Sequence, residues 1–374
     1  MSVAQAGSPP GRTAPDPDVR ARVGRVLDGV LAEQERRLAE VAAETAPLVE
    51  CIRGLLAGGK RLRPAFCYWG WRGAGGPDGD AVVAGAAALE LFQAAALIHD
   101  DLMDDSDTRR GRPAAHREFA SLHAGRGWEG DAQRFGTAGA ILAGDLCLSW
   151  SDELFAGSGL PAAALERGRA VFDLMRTQLM GGQYLDMLEQ VRHRSSEPAV
   201  AGHPGGAAAR ARRVIRFKSA KYSVEHPLLL GGTLAGAEPA LLRRYSALGL
   251  SLGEAFQLRD DLLGVFGDPA ATGKPAGDDL REGKRTLLVA YALERATPAQ
   301  ATAVDRLLGD PGLDARGVAT LQGILTETGA AERVEALIAD DADAARKILA
   351  EAGLPGEVHD ALDRLVTAAT EREA

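Results

Sequence analysis

Hydrophobic positions in this chain recur at helical spacing almost from end to end. Val19, Val23, Val26 and Val30, with Leu27 and Leu31 beside them, mark an amphipathic helix beginning near Asp18. Residues 1–15, rich in Pro, Gly, Ala and Ser, read as a disordered leader. A break at Gly58–Gly59 precedes the basic run Lys60-Arg61-Leu62-Arg63-Pro64, and a second spans Gly73 to Gly79. The stretch Ala81 to Met103 has no Gly or Pro after Gly85 and is apolar almost all round, the pattern of a central buried helix. Further helices are predicted over Ala138–Phe155, Pro161–Gln190, Arg210–Leu230, Glu238–Leu263 and Thr286–Ala296, with several more ending near Thr370. Arg194–Gly206 reads as an exposed loop. No repeat with a fixed period and no Rossmann or P-loop glycine pattern is present. The expected architecture is a single all-α domain over residues 16–374, with long helices packed around a central cavity.

Composition narrows the function classes. The 374 residues are 46% hydrophobic, enough for a sizeable interior, and carry a formal net charge of −9. That charge argues against a general nucleic-acid binder, which needs a basic surface. Cys51, Cys67 and Cys147 show no CxxC spacing, so the expectation is three buried, reduced thiols in a cytoplasmic protein. No N-terminal signal peptide is expected, and no run of about eighteen uninterrupted apolar residues marks a membrane span.

The chemistry concentrates in two acid clusters. In His99-Asp100-Asp101-Leu102-Met103-Asp104-Asp105-Ser106-Asp107, Asp100 and Asp104 are spaced to share one helix face. Like charges so placed are destabilising unless a cation compensates, and Mg²⁺ typically bridges one or two carboxylates to substrate phosphates. Arg109-Arg110-Gly111-Arg112 follows at once, and guanidinium groups there can grip phosphate oxygens that metals leave free. The second cluster, Asp260-Asp261, ends another apolar helix, with Asp268, Lys274, Asp278, Asp279, Lys284 and Arg285 beyond it. Two acidic helix ends, each trailed by cations, suit a diphosphate clamped by several Mg²⁺ ions. His99 and His116 invite a general-base role, but hydrogen-bonded support of neighbouring groups is the simpler expectation.

At this point the chain resembles the trans-polyprenyl diphosphate synthase family over residues 50 to 290, with motifs specific in combination. Gly58-Gly59-Lys60-Arg61-Leu62-Arg63-Pro64 is similar to the family's GGKRxRP element, which implies that Lys60 and Arg63 hold isopentenyl diphosphate. Gln93 falls where the family places a further ligand for that diphosphate. Asp100-Asp101-Leu102-Met103-Asp104 resembles the first aspartate-rich motif. Arg109 and Arg110 resemble the pair contacting the allylic and homoallylic diphosphates respectively. Gly182-Gln183-Tyr184-Leu185-Asp186 resembles the GQxxD element, and Lys218-Ser219-Ala220-Lys221-Tyr222 the KTAxY element, with Ser219 in place of Thr. Lys274 and Lys284 match two lysines after the second acid motif. There Asp260 is the positional metal ligand, but Gly264 stands where the family often has a third Asp, leaving open whether Asp268 compensates.

The resemblance implies an isoprenoid synthase-type helical bundle, several Mg²⁺ ions per site, and a homodimer. It also implies condensation of isopentenyl diphosphate with an allylic diphosphate. Lys218, Ser219 and Gln257 are then the groups expected beside the departing diphosphate and the allylic cation. Alternatives are a farnesyl or longer-chain synthase, a class I terpene cyclase, a non-catalytic subunit of a heteromeric synthase, and a purely structural helical protein. Chain length is expected to be set along the helix ending at Asp100. Ala96 and Ala95 lie roughly 6–7.5 Å deeper, and Phe92 about 12 Å down on the face of Ala96. Two alanines where the family's fifteen-carbon synthases place an aromatic residue point to a twenty-carbon product, geranylgeranyl diphosphate, with Phe92 as the candidate floor.

Overall fold

The computed structural model describes residues 19–191, 206–268, 277–310 and 312–370. The leader, most of the Arg194–Gly206 segment and Lys274 lie outside the described residues. The described chain is helical apart from one two-stranded ribbon. In order, the first helices are α1 (Val19–Ala39), α2 (Ala46–Leu56), α3 (Leu62–Gly73) and α4 (Asp80–Met103). The ribbon β1 (Thr108–Arg109) and β2 (Arg112–Pro113) follows, then α5 (Ala115–Arg126), α6 (Ala132–Ala156) and α7 (Ala162–Val191). After α8 (Ala207–Val214) comes a π-helix over Ile215–Glu225, then α9 (His226–Ala235) and α10 (Pro239–Phe266). The rest is α11 (Asp278–Arg281), α12 (Leu287–Arg295), α13 (Pro298–Leu307), α14 (Ala315–Glu327), α15 (Ala330–Glu351) and α16 (Gly356–Thr370).

The helix α4 is the axis of the bundle. Its apolar positions show no preferred side, and fifteen of its residues are buried, from Val82 to Asp101. It packs against α6, α3 and α1. By length and mean hydropathy alone it could cross a membrane, although Glu90, Gln93 and His99 interrupt its apolar run. Most of its apolar window is nevertheless buried inside the protein, as a core helix requires. One apolar core joins α1–α4, α6, α7, α9 and α10, and a second lies among α8, α10 and α12–α15.

The helix predicted over Arg210–Leu230 is not uniform. It runs as α8, the π-helix and α9. The wider turn changes which residues face one another, and such segments occur mainly at functional sites. Small residues let its neighbours approach closely. A Cβ on Gly182 of α7 would lie 2.3 Å from the Lys218 nitrogen, and one on Gly253 of α10 would lie 2.6 Å from the Ala220 Cα. Those contacts press α7 and α10 directly onto the π-helix backbone. The helices α2, α3 and α5, which lack a long regular apolar stripe, were not distinguished in the sequence.

Candidate active site

The ends of α4 and α10, the π-helix and the Gly58–Arg63 segment surround a cavity of about 1250 Å³. That exceeds the usual range for a single small ligand, roughly 300–1,000 Å³. Its wall includes Lys60, Arg63, Gln93, Ala96, Asp100, Arg109, Arg110, Gln183, Lys218, Ser219, Gln257, Asp260 and Lys284, all singled out from sequence.

Asp100, Asp101 and Asp104 sit at the C-terminal end of α4, where the helix dipole already disfavours negative charge by about 0.3–1 kcal/mol per group. Cations offset this. Lys218 Nζ lies 3.0 Å from Asp100 Oδ1 and 2.6 Å from Asp186 Oδ2, and Gln183 Nε2 donates to Asp100 at 2.8 Å. Burial pushes the Asp100 carboxyl up, but Lys218, Lys284 and Arg109 overcome it and hold the group well below the usual carboxylate range. Lys218 is correspondingly raised: burial lowers it, and Asp100 and Asp186 prevail. Burial raises the Asp104 carboxyl; Lys284, 3.3 Å away, opposes this and Asp100 adds to it.

Asp101 has a different task. It is 2% exposed and accepts from Arg109, with Nε at 2.8 Å and a second bond from Nη2. It therefore orients Arg109 rather than facing the cavity. The ribbon explains how Arg109 turns back. Arg110 and Gly111 both have positive φ, 54° and 73°, the pattern of the tight two-residue hairpin turn. The same turn aims Arg110 the other way, to donate to the Leu55 carbonyl at 2.8 Å beside Gly59.

Lys60 and Arg63 enter from the start of α3. Arg63 donates to Ser223 Oγ at 2.7 Å and stacks over the Tyr222 ring, 4.1 Å from its centroid. Arg61, between them, is a buried pin: its Nη1 meets Glu90 Oε2 at 2.5 Å and its Nη2 meets the Leu56 carbonyl. Gln93 is buried at the wall, with its Oε1 lacking a hydrogen-bond partner.

On the second arm, Asp260 and Asp261 both line the cavity, and the buried Asp261 accepts from Gln257 Nε2 at 2.7 Å. Burial raises the Asp261 carboxyl well above its ordinary value. Asp268 is exposed, beyond the end of α10 at Phe266. Lys284 spans the arms: its Nζ is 2.5 Å from Glu282, 3.3 Å from Asp104 and 3.4 Å from Asp279. Burial lowers its pKa, but those carboxylates hold it well above the lysine range. Ser106 adds a second link between the arms, donating to Glu282 Oε1 at 2.7 Å.

The cavity wall includes Ala96 but not Ala95 or Phe92. Phe92 is packed behind the wall, its ring edge-on to Tyr222 with centroids 6.0 Å apart. Tyr222, which does line the cavity, lies between Phe92 and the Arg63 guanidinium. The two histidines lie aside from this wall. His116 is buried 3.7 Å from Asp105, and His99 points to the Ile141 carbonyl on α6.

Sequence reasoning quoted Asp186, Tyr222 and Asp279 within its motifs without giving them a role, and did not single out Glu282 or the Arg61–Glu90 pair. Asp186 and Tyr222 end two motifs already legible, so their spacing was the available signal. Asp279 and Glu282 had no periodic signal, because they lie in a short turn that only the fold brings under α10.

Two acid-bearing helix ends, a basic rim and an apolar-backed cavity define an all-α protein whose site suits a diphosphate joined to an apolar group. Residues 45–323 match the polyprenyl synthetase family model. The chain belongs to that family, and it is a chain-elongating prenyltransferase. It is similar to a short chain isoprenyl diphosphate synthase of Methanothermobacter thermautotrophicus, 30% identical over 91% of this chain and 95% of the relative. It is also 30% identical to a nonaprenyl diphosphate synthase of Mycobacterium tuberculosis, over 89% of this chain and 87% of the relative. Among solved structures, a geranylgeranyl pyrophosphate synthase from Corynebacterium glutamicum, complexed with isoprenyl diphosphate and magnesium, superposes with a TM-score of 0.89. It is 40% identical and covers 96% of this chain and all of that one.

Proposed function

We propose that this chain makes geranylgeranyl diphosphate by Mg²⁺-dependent condensation of isopentenyl diphosphate with an allylic diphosphate. The observation that carries this reading is the pair of acidic helix ends facing one cavity, with Lys60 and Arg63 on one part of its wall and Lys218 and Lys284 on another.

The donor set fits Mg²⁺. It consists of carboxylate oxygens, and both oxygens of Asp104 are buried without a hydrogen-bond partner. Among the described residues no three acidic, imidazole or thiolate groups form a ready cage. Mg²⁺ commonly completes its shell with phosphate oxygens and water. Asp100, Asp104 and Asp260 would hold it, and when bound with the diphosphate it supplies positive charge to the leaving group. Lys218 adds charge at the same place. Ser219 and Gln257 offer oxygens to the allylic carbon as it becomes cationic. Lys60, Arg63 and Arg110 hold the second diphosphate so that the double bond of its isoprenoid faces that carbon, and the apolar wall keeps water from intercepting it.

Ala96 at the wall supports a twenty-carbon product, since a small residue there leaves room for further extension. A homodimer is supported by apolar side chains exposed along α6 and α7, including Leu142, Met180, Tyr184 and Val191. A cytoplasmic setting is supported by the three buried free cysteines. The test is product analysis with labelled isopentenyl diphosphate and each short allylic primer, with and without chelator, alongside the solution mass. Geranylgeranyl diphosphate from a dimer, abolished by chelation, is expected. A fifteen-carbon product alone would overturn the length assignment, and turnover without metal would overturn the cofactor.

A further inference from the structure

We propose that Glu225 is a positioning residue for the allylic half of the reaction: its carboxylate locks the end of the π-helix onto α10 and so fixes the register in which Lys218, Ser219 and Tyr222 meet the cavity. This rests on the reading above of Lys218 and Ser219 as groups beside the allylic diphosphate. Glu225 is 3% exposed, stands outside the cavity wall and is the last residue of the π-helix. Both of its carboxylate oxygens are engaged. Lys221 Nζ donates to Oε2 at 2.7 Å, and Ser246 Oγ of α10 donates to Oε1 at 2.6 Å. The Lys221 carbonyl also accepts the last wide-turn bond, from the His226 nitrogen. One side chain thus spans that turn and ties it to a neighbouring helix.

A π-helix replaces i→i+4 bonds by i→i+5 bonds and seldom forms unaided, so its neighbours must hold it. On α10, Ser246, Gly249 and Gly253 share one face. A Cβ on Gly249 would lie 2.4 Å from the Glu225 Cα, and one on Gly253 would lie 2.6 Å from the Ala220 Cα. On α7, Gln178 and Gly182 share one face. His226 Nε2 donates to Gln178 Oε1 at 3.0 Å, and a Cβ on Gly182 would lie 2.3 Å from the Lys218 backbone nitrogen. These close contacts are with backbone atoms, which cannot swing aside as a side-chain end can. Each neighbour therefore grips the π-helix with one polar side chain and with glycine contacts. Burial pushes the His226 pKa down, so near pH 7 its ring is neutral and Lys221 is the cation facing the carboxylate. Both gripping faces run on into the site. The α7 face continues to Asp186, 2.6 Å from Lys218 Nζ, and the α10 face to Gln257 and Asp260 on the cavity wall. The register of the π-helix against these two helices therefore decides where Lys218 and Ser219 stand.

The test separates register from stability. Steady-state kinetics with each substrate varied in turn, and unfolding temperatures, would be measured for the parent chain, Glu225→Ala, Ser246→Ala, the double variant Lys221→Met/Glu225→Met, and Lys218→Ala. The double variant leaves no lone buried charge, and an apolar pair in place of a buried ion pair is often as stable as the parent. Glu225→Ala and the double variant are each expected to lower kcat by about 10–100-fold, the cost of a small misplacement of reacting groups. Both are expected to raise KM for the allylic diphosphate and to leave KM for isopentenyl diphosphate near the parent value. Ser246→Ala is expected to move the same constants in the same direction by less. A folded double variant with parent kinetics overturns the positioning role. So does a fall in kcat that merely follows the loss of folded protein, with both KM values unchanged. Parent kinetics in Ser246→Ala, which loses one hydrogen bond and no charge, overturns it as well. Lys218→Ala without an allylic defect overturns the reading on which the inference rests. An allylic defect in Lys218→Ala beside a parent-like double variant overturns the inference alone.

Discussion

The two acidic arms reach similar chemistry by different construction. The first is contiguous: Asp100 and Asp104 come from one turn of α4, and the hairpin that follows returns Arg109 to Asp101. The second is assembled from pieces. Asp260 and Asp261 lie in the last two turns of α10, Gly264 follows on the same helix without a side chain, and Asp279 and Lys284 come from beyond the helix. A contiguous arm depends on local helix geometry, whereas an assembled arm depends on the packing that holds the pieces together. Lys284 and the Ser106–Glu282 bond join the two, so neither arm is independent.

The largest effects are expected on the contiguous arm. Asp100→Ala and Asp104→Ala should each lower kcat by at least about a hundredfold, the scale of losing a stabiliser of transition-state charge. Steady-state kinetics at saturating Mg²⁺ would measure this, and near-normal turnover in either variant would remove the first arm from the mechanism.

The assembled arm should show a graded response. Asp260→Ala is expected to be nearly as damaging as Asp100→Ala, with Asp279→Asn intermediate and Asp268→Ala close to the parent. The same kinetic measurements rank the three. An Asp268→Ala loss equal to that of Asp260→Ala would mean that the exposed acid is drawn into the site and that the arms are built more alike than the geometry indicates.

Smaller and more selective changes should separate the two substrates. Lys60→Ala and Arg63→Ala should chiefly raise KM for isopentenyl diphosphate, whereas Lys218→Ala should chiefly impair use of the allylic diphosphate. Initial rates with one substrate varied at a time would show it. If all three weakened the same substrate, the division of the cavity wall would be wrong.

The subtlest expected effect falls on the helix of the first arm alone and leaves the metal groups intact. Ala96→Phe should shift the product from twenty to fifteen carbons, read by chromatography of the dephosphorylated products. Phe92→Ala should change length only through the Tyr222 ring it supports, so Tyr222→Ala should lengthen the product more. The reverse order would return the floor to Phe92.

The sequence by itself determined the helical class and the contiguous parts of the site, because both depend on short-range spacing. A period of 3.6 residues put Asp100 and Asp104 on one face and marked α4 as buried on all sides. The GGKRLRP, GQYLD and KSAKY segments each carried their own residues into the cavity. What tertiary structure alone decided is every pairing across long separations. Asp101 accepting from Arg109, Arg61 buried on Glu90, and Tyr222 standing in front of Phe92 all follow from how helices meet. The π-helix is of this kind too, since nothing in the apolar pattern of Arg210–Leu230 distinguishes it from an ordinary helix. Asp279 shows the limit most clearly. No periodicity relates it to Gly264, and only the path of the chain after α10 brings its carboxylate beside that glycine.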